Sequence, residues 1–173
     1  MFIVVETATF QEPRALQTDL VKVRSVADYQ FGKRVGKILF PRGVTISYSR
    51  RTGRIRYVHL DQKRLATLRP TDGLFSLSLE GARRIAKMSR SAGCFVTVQD
   101  DVSEFIAGGS DVFAAHVTRA HDDIRAKDEV IVIDKSRHVL AVGRAILSGE
   151  EMTAFKRGVA VKVRRGAKAE TYV

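Results

Sequence analysis

Short apolar runs broken by turn-forming residues fill the second half of this sequence, and they restrict that half to a fold made of short strands. Strands are predicted over residues 94–98, 112–118, 129–133, 139–147 and 159–163. Only two short helices fit between them. One covers residues 102–107 and should end at Gly108-Gly109, and the other runs from Ser148 to Phe155 with Glu151 in a capping-box position. Many short strands with few helices predict a small barrel-like β module.

The first half mixes helical and strand-like patterns. Residues 1–10 fit a first strand, Glu12-Pro13 suits the start of a helix, and helical spacing continues over residues 14–39. Gly32 and Gly36 fall inside that segment, so we expect a helix break or close packing there.

A hairpin should follow this helical segment. Residues 44–60 alternate between apolar and polar on both sides of a link that ends in Gly53, where a turn with positive φ is expected. Further strands are predicted over residues 64–68 and 74–78. A helix should then run from residue 79 to about residue 89, with Ser78 as its N-cap. The side chains expected on its buried face are Leu79, Ala82, Ile85, Ala86 and Met88.

The predicted fold class is α+β, with two domains. Small residues at Ser91-Ala92-Gly93 mark the expected boundary. We therefore expect a basic N-terminal domain of helices and strands over residues 1–92, the β module over residues 93–168, and a tail over residues 169–173.

The net charge indicates the class of partner. The chain has 30 Lys and Arg against 19 Asp and Glu, which gives a net charge of +11 and a pI of about 10.2. Residues 1–93 contain 18 Lys or Arg and 7 Asp or Glu, whereas residues 94–173 contain 12 of each. Such an excess favours a polyanionic partner, either nucleic acid or an anionic membrane surface, and it places the long-range attraction in the first half.

Two groups of basic residues in the first half are candidate phosphate contacts. The hairpin group consists of Arg50, Arg51, Arg54 and Arg56. Of these, Arg54 and Arg56 share a face by the two-residue period of a strand. Lys33 and Lys37 share a face if the helix continues through them. The other interpretation of both groups is a solvated surface, or ion pairs with acids of the second half.

The residues offer no support for a catalytic or metal-binding protein. Cys94 is the only cysteine, which excludes an internal disulfide and a multi-cysteine zinc site. No metal-ligand spacing is found around His59, His116, His121 or His138. The adjacent pairs Asp100-Asp101 and Asp122-Asp123 suit turns and caps. We therefore expect no catalytic residue, no metal and no cofactor.

The targeting signals of a secreted or membrane protein are also not recognisable. The first residues lack the basic leader and the cleavage-like site of a signal peptide. No run approaches the roughly 18 apolar residues that a membrane helix needs. We expect a cytoplasmic protein with no membrane partner.

Several segments carry a family resemblance. In the second half they are Asp122-Asp123-Ile124-Arg125, Asp128-Glu129-Val130, Ala141-Val142-Gly143-Arg144-Ala145 and Gly158-Val159-Ala160-Val161-Lys162-Val163-Arg164. These segments resemble the PUA domain, a small RNA-binding pseudobarrel, and the resemblance is closest to the C-terminal region of the archaeal tRNA-guanine transglycosylases that make archaeosine.

The resemblance extends into the first half. The segments there are Tyr29-Gln30-Phe31-Gly32, Ser49-Arg50-Arg51-Thr52-Gly53-Arg54-Ile55-Arg56, Ala66-Thr67-Leu68-Arg69 and Asp72-Gly73-Leu74-Phe75-Ser76-Leu77. They are similar to the small domain that precedes PUA in those enzymes. Since all segments keep the same order, the resemblance implies a small α/β pre-PUA domain followed by a PUA β pseudobarrel.

The resemblance also implies an RNA-binding surface. In the PUA family, RNA docks against the first short helix, the glycine-bearing loop after it, the following strand and the last strand. The matching positions are Gly108, Gly109, Ser110, Val112, Phe113 and Ala114, with Lys162, Arg164 and Arg165 on the last strand. Glycines would let the RNA backbone approach and would expose main-chain N–H groups to phosphate. Phe113 would offer an apolar face to a base or ribose, and the two arginines would pair with phosphate.

Each of these positions also has a purely structural interpretation. Gly108-Gly109 suits a helix stop, Phe113 suits the core, and Arg164-Arg165 suits a solvated pair. The sequence departs from the family pattern at Ala115-His116, where many PUA domains carry Pro-Gly and the transglycosylases tend to carry Lys in place of Ala115. His116 therefore either replaces that contact or packs.

Three functional hypotheses follow. The family's catalytic work belongs to a large β/α barrel with a zinc site, which needs roughly 250 residues, and 173 residues cannot supply it. The first hypothesis is a stand-alone RNA-binding protein, with tRNA as the expected partner. The second is a non-catalytic subunit of a split transglycosylase whose catalytic chain would bind an apolar patch on the N-terminal domain. The third is an independent enzyme, which would require a pocket with clustered perturbed acids.

Overall fold

The computed structural model describes residues 17–170, and their N-terminal part forms an antiparallel sheet covered by helices. The helices are α1 (Gln17–Phe31), α2 (Val35–Leu39) and α3 (Leu79–Met88). The strands are β1 (Thr45–Tyr48), β2 (Ile55–Leu60), β3 (Lys63–Leu68) and β4 (Phe75–Leu77), in the spatial order β1-β2-β3-β4. The strand expected over residues 1–10 and the helix start at residues 12–13 lie outside the described residues.

The C-terminal part forms a six-stranded sheet that nearly closes into a barrel. Its strands are β5 (Phe95–Val98), β6 (Val112–Phe113), β7 (Val117–Ala120), β8 (Glu129–Ile133), β9 (Val139–Ala145) and β10 (Val159–Gly166). Its helices are α4 (Ser103–Ala107) and α5 (Gly149–Ala154), with short 3₁₀ turns at Asp100–Val102, Ala114–His116 and Ala167–Glu170. The strand order is β6-β10-β9-β8-β5-β7, so β6 and β7, which are neighbours in the chain, lie at opposite ends of the sheet. This arrangement confirms the α+β class with a barrel-like second half.

Local signals in the sequence correctly place several element boundaries. Gly53 has φ +66 at the end of the hairpin link. The Ser78 hydroxyl accepts a hydrogen bond from the N–H of Gly81 and so caps α3. Ser148 and Glu151 form the expected capping box of α5.

The break expected near Gly32 is found, because the helical segment over residues 14–39 is divided into α1 and α2 after Phe31 and Gly32 has φ +111. Three other predictions are corrected. The strand expected over residues 112–118 is split by the 3₁₀ turn at Ala114–His116, which carries the chain from one end of the sheet to the other. β10 continues to Gly166, beyond the expected end at residue 163. Met88 is 56% exposed, because it lies in the last turn of α3, past the buried face.

The two sheets share a hydrophobic core. One buried cluster combines Phe31, Phe40 and Phe75 of the N-terminal part with Phe95 and Ile131 of the C-terminal part. A second cluster fills the barrel. The segment Ser91-Ala92-Gly93 therefore separates the two sheets in sequence, while the side chains on both sides of it pack together. No helix within residues 17–170 combines the length and the apolar character needed to cross a bilayer.

Candidate nucleic-acid interface

The glycine loop after α4 is exposed, but its main chain is already hydrogen-bonded. The N–H groups of Gly108, Gly109 and Ser110 donate to the carbonyls of Glu104, Ile106 and Phe105, at 3.0, 2.9 and 3.0 Å. These N–H groups therefore end the helix and are not directed at a ligand, which corrects the expectation that they face phosphate. Gly109 has φ +108 and open space where a Cβ would lie. The loop thus presents a bare, accessible main chain.

Asp111, at the end of this loop, attaches the loop to β10 by two hydrogen bonds. One carboxylate oxygen accepts from the main-chain N–H of Val163 at 2.9 Å and the other from Lys162 Nζ at 2.7 Å. The Lys162 hydrogen bond, helped by that of Val163, holds the pKa of Asp111 below its usual range despite partial desolvation. The Lys162 side chain is still 68% exposed, so its ammonium group lies beside the loop and remains reachable from solvent.

Side chains of the strand after the loop divide between core and surface. Val112 and Ala114 are buried, so any contact of theirs with a ligand is limited to the main chain. Phe113 is 50% exposed, which excludes the core interpretation of this residue. His116 is half-buried and its Nδ1 lies 3.4 Å from Gln99 Oε1, so it packs against the segment after β5.

Phe105 was not predicted as a surface residue. It lies in α4 immediately before the glycine loop and is 69% exposed. Its neighbours Ile106 and Ala107 are buried. The sequence gives little signal for this, because α4 has only five residues and a helical period needs a longer segment to separate a buried face from an exposed one. The loop is thus flanked by two exposed aromatic rings, Phe105 and Phe113.

Arg164 lies at the junction of the two sheets and not at a free strand end. The register of β10 against β9 shifts between Val163 and Arg165, which leaves Arg164 as the extra residue of a bulge. Its guanidinium donates to both oxygens of Glu129, at 2.5 and 2.8 Å, and to the carbonyl of Leu77 at 2.7 Å. Because its donors already have these partners, the prediction that Arg164 pairs with phosphate is not supported by the geometry.

Glu129 is the centre of this junction. Its side chain is fully buried, and it also accepts the main-chain N–H of Leu77 at 2.7 Å. Arg69 approaches the same carboxylate at 3.8 Å and pairs with Asp72 at 2.7 Å, which keeps the pKa of the Asp72 carboxyl below its usual range. One buried acid thus connects β8 and β10 to β4 of the other sheet. We call Glu129, Arg164 and Leu77 the junction lock.

The side chain of Arg165, by contrast, is exposed and has no hydrogen-bond or ion-pair partner within residues 17–170. It lines a cavity between the two sheets together with residues of β3, β4 and α3.

The hairpin arginines are exposed, as the sequence suggested. Arg50, Arg51 and Arg54 lie in the link between β1 and β2, and none forms an ion pair with a described residue. Arg56 lies in β2 against Tyr57, with its Nε 2.9 Å from the phenol oxygen. Ion pairing with acids of the second half, one of the two alternatives, is therefore not seen in the described chain.

The expected shared face of Lys33 and Lys37 does not form. Lys33 lies in the turn between the helices and Lys37 in α2, because the chain leaves the helix after Phe31. Gly36 explains the close approach that redirects the chain: a Cβ there would collide with the main chain of Arg24. Both lysines are exposed, but they belong to different local structures.

The metal-ligating side chains and the perturbed acids of the described residues lie apart from one another. No group of three or more His, Cys, Asp or Glu within residues 17–170 is placed to hold a metal ion. Cys94 is fully buried, and burial raises the pKa of its thiol to about 12, so it remains protonated. The acids whose pKa is lowered are Asp19, Asp72, Asp111 and Asp134, which lie in separate places and are held by local hydrogen bonds.

Comparisons with known families agree with this architecture. Residues 21–91 match the patch-forming domain C2 of tRNA-guanine transglycosylase, and residues 95–167 match the PUA domain. The chain is therefore a PUA-domain protein in which a transglycosylase-type C2 domain precedes the PUA domain. The matched parts are the non-catalytic C-terminal region of the transglycosylases, and neither match includes the catalytic domain.

Individual relatives show how much of the transglycosylases this chain matches. The tRNA-guanine(15) transglycosylase of Methanothermobacter thermautotrophicus is 40% identical over 148 residues, which are 86% of this chain and 23% of that enzyme. The enzyme of Pyrococcus abyssi is 42% identical over 144 residues, or 83% of this chain and 24% of the enzyme. This chain thus spans about a quarter of the length of these curated relatives. A crystal structure of a hypothetical protein from Pyrococcus horikoshii OT3 shares the fold, with a TM-score of 0.73 at 20% identity, over 92% of this chain and 96% of that one.

Proposed function

We propose that this protein binds structured RNA, with tRNA as its natural partner, and that it serves tRNA modification of the kind that produces archaeosine. The observation that carries the proposal is the exposed glycine loop at residues 108–110. It is clamped to β10 beside Lys162 and flanked by Phe105 and Phe113. We call this group the loop face.

The chemistry of the loop face suits an RNA end or a distorted helix. Exposed aromatic rings stack on bases or riboses, which are accessible in RNA mainly where strands are unpaired. A bare main chain at Gly109 lets a sugar-phosphate backbone approach without side-chain obstruction. Lys162 adds one cation whose position is fixed by Asp111.

The C2-type domain would contribute long-range attraction. Its hairpin arginines are exposed and unpaired with described acids, so they suit sequence-independent contact with phosphates. If about five phosphates are neutralised in all, the logarithm of the binding constant should fall with the logarithm of salt concentration with a slope of about −4 to −5. A flat salt response would contradict a role for the basic surface.

The proposal is tested by comparing folded tRNA with a single-stranded RNA of equal length. The wild-type protein should prefer folded tRNA, and Phe113→Ala should weaken tRNA binding by about 1–3 kcal/mol, the usual value of one stacking contact. Tyr29→Ala is the matched control, because Tyr29 is an exposed aromatic residue on α1, outside the loop face. Equal effects of the two substitutions, or no preference for folded tRNA, would contradict the proposal.

A second candidate function is that of a non-catalytic subunit of a split transglycosylase that acts mainly through protein–protein contact. It is favoured by the match to about a quarter of the relatives' length and by two exposed apolar side chains on α1, Val21 and Tyr29. A chain comprising the remaining part of a relative should then form a complex in analytical ultracentrifugation, and Tyr29→Ala should weaken it while leaving tRNA binding intact. Failure to form a complex would remove this candidate.

A further inference from the structure

A second concave surface lies between the two sheets, away from the glycine loop. It is a cavity of about 620 Å³ whose walls come from β3, β4, the first turns of α3, and β10. We call it the junction cleft. Its charged lining consists of Lys63, Arg64, Arg83, Arg164 and Arg165 with one acid, Glu80.

This charge balance distinguishes the junction cleft from the cavity of similar size near Gly93. That cavity, of about 550 Å³, is lined by Lys33 and Arg125 but also by three acids, Asp123, Asp128 and Glu129. A concave wall with one sign of charge focuses its potential and concentrates counter-ions. With its excess of cations, the junction cleft is therefore better suited to an anion than the other cavity is.

The cations of the junction cleft are only partly occupied by the protein itself. The Arg165 side chain has no hydrogen-bond or ion-pair partner within the described chain. Lys63 and Glu80 lie 3.8 Å apart with side chains 69% and 41% exposed, which is a loose surface pair of little energetic value. The guanidinium carbon of Arg64 lies 5.4 Å from the centroid of the Tyr57 ring, and Arg64 forms no ion pair with a described residue.

The walls of the junction cleft are held in fixed positions. Arg164 joins β10 to Leu77 of β4 and to buried Glu129, so the two sheets cannot separate without breaking charge-assisted hydrogen bonds. The main chains of β3 and β10, which carry Lys63 and Arg165, are thereby held in place before any ligand arrives. A preorganised array loses less conformational entropy on binding.

We infer that the junction cleft binds the sugar-phosphate backbone of an RNA duplex and contacts neighbouring phosphates from both walls. The inference rests on the proposed function, in that the chain binds RNA, and it adds a site that is separate from the loop face. Besides the cations, the lining includes the hydroxyl residues Thr67 and Ser76. Hydroxyl, lysine and arginine donors are the groups that contact phosphates without reading sequence.

The test uses the intact protein, a short RNA duplex of arbitrary sequence and a salt series. Lys63→Gln/Arg165→Gln should make the salt slope shallower by about 1.4–1.8, since each lost phosphate contact contributes roughly 0.7–0.9. Affinity at low salt should fall about tenfold or more. Arg42→Gln/Lys127→Gln removes the same charge from exposed positions outside the cleft and should leave the slope nearly unchanged. A cleft variant indistinguishable from this control would overturn the inference.

Two further measurements separate this inference from the proposed function. Thermal unfolding of both double variants confirms that they remain folded, which is expected because all four side chains are exposed. Phe113→Ala is then measured on duplex and on folded tRNA. If Phe113→Ala leaves tRNA binding unchanged while the cleft variant has a shallower salt slope, the proposed role of the loop face is contradicted and the inference about the cleft is supported. If the wild-type protein binds no duplex even at roughly 50 mM salt, the cleft inference fails whatever happens with tRNA.

Discussion

The two halves of the molecule differ in how far their basic residues are paired with acids. In the PUA domain, four cations are paired: Lys162 with Asp111, Arg164 with Glu129, Lys135 with Asp100 and Lys168 with Glu104. In the C2-type domain, Lys22, Lys63 and Arg69 have acidic partners, but the hairpin arginines Arg50, Arg51 and Arg54 have none among the described residues. The difference follows from composition, because residues 94–173 contain 12 acids for 12 bases and residues 1–93 contain 7 acids for 18 bases. Where acids are scarce, a larger share of the cations remains without an acidic partner and is available for a ligand.

The largest effect is expected from removing a cation that stabilises the fold of the PUA domain. Arg164→Met leaves Glu129 buried without its main partner, and breaking a buried pair in this way costs about 3–5 kcal/mol in the free energy of unfolding. The measurement is urea denaturation. Arg165→Met is the matched control: it is the next residue, exposed and unpaired in the described chain, and it should change stability by less than about 0.5 kcal/mol. Equal losses for the two variants would contradict the distinction between them.

A smaller effect tests the ligand-directed use of charge in the C2-type domain. Replacing Arg50, Arg51 and Arg54 together with Gln should reduce RNA affinity about ten- to a hundredfold at low salt and make the salt slope shallower by roughly 2–3. Stability should be unchanged, since these side chains make no ion pair with described residues. A filter-binding salt series combined with urea denaturation measures both. A variant that lost stability but kept its RNA affinity would show that these arginines stabilise the fold and do not contact RNA.

The smallest effect comes from an acid of the C2-type domain that does have partners. Asp19 accepts a hydrogen bond from the Tyr48 hydroxyl at 2.6 Å and one from Lys22 at 3.0 Å. The Tyr48 bond is the main reason that the pKa of Asp19 lies below its ordinary 3.8, and it raises the pKa of Tyr48 to about 12. Tyr48→Phe should therefore cost about 1 kcal/mol in the free energy of unfolding at neutral pH.

The pH dependence of that loss has a defined sign. Because folding lowers the pKa of Asp19, its stabilisation is fully present above the unfolded value and disappears as pH falls through the lower folded value. The gap between wild type and Tyr48→Phe should thus be constant near neutrality and close below about pH 4. Urea denaturation across this range measures it, with exposed Tyr29→Phe as the control. A gap that persisted in acid would show that the hydrogen bond to the carboxylate is not its cause.

Features that depend on neighbouring residues could be predicted from the sequence. The hairpin around Gly53, the Ser78 cap and the Ser148–Glu151 capping box each rest on residues within a few positions of one another. The family segments likewise predicted the order of the two domains, and the exposure of Phe113 agrees with its proposed role.

Features that depend on residues distant in the chain could not be predicted from the sequence. The redirection at Ala114–His116 is needed only because β6 and β7 take opposite ends of one sheet, and nothing in Ala-Ala-His requires it. Glu129, the partner of Arg164, lies 35 residues earlier in the chain. The bulge at Arg164 changes the direction of its side chain, and the alternation of apolar and polar residues does not predict a bulge. The junction cleft combines residues of β3, α3 and β10, so it exists only once the two sheets have packed.

The position of β10 has a consequence for how the protein is made. This strand leaves the ribosome after the other described strands, yet it lies between β6 and β9 in the finished sheet. Until β10 is synthesised, β6 has no strand partner, Asp111 lacks its ion pair with Lys162, and Glu129 lacks its ion pair with Arg164. A nascent chain that stops before residue 159 would therefore expose two open sheet edges to chaperones and proteases. The eight residues of β10 therefore complete the barrel, the loop face and the junction lock together, at the end of synthesis of the described chain.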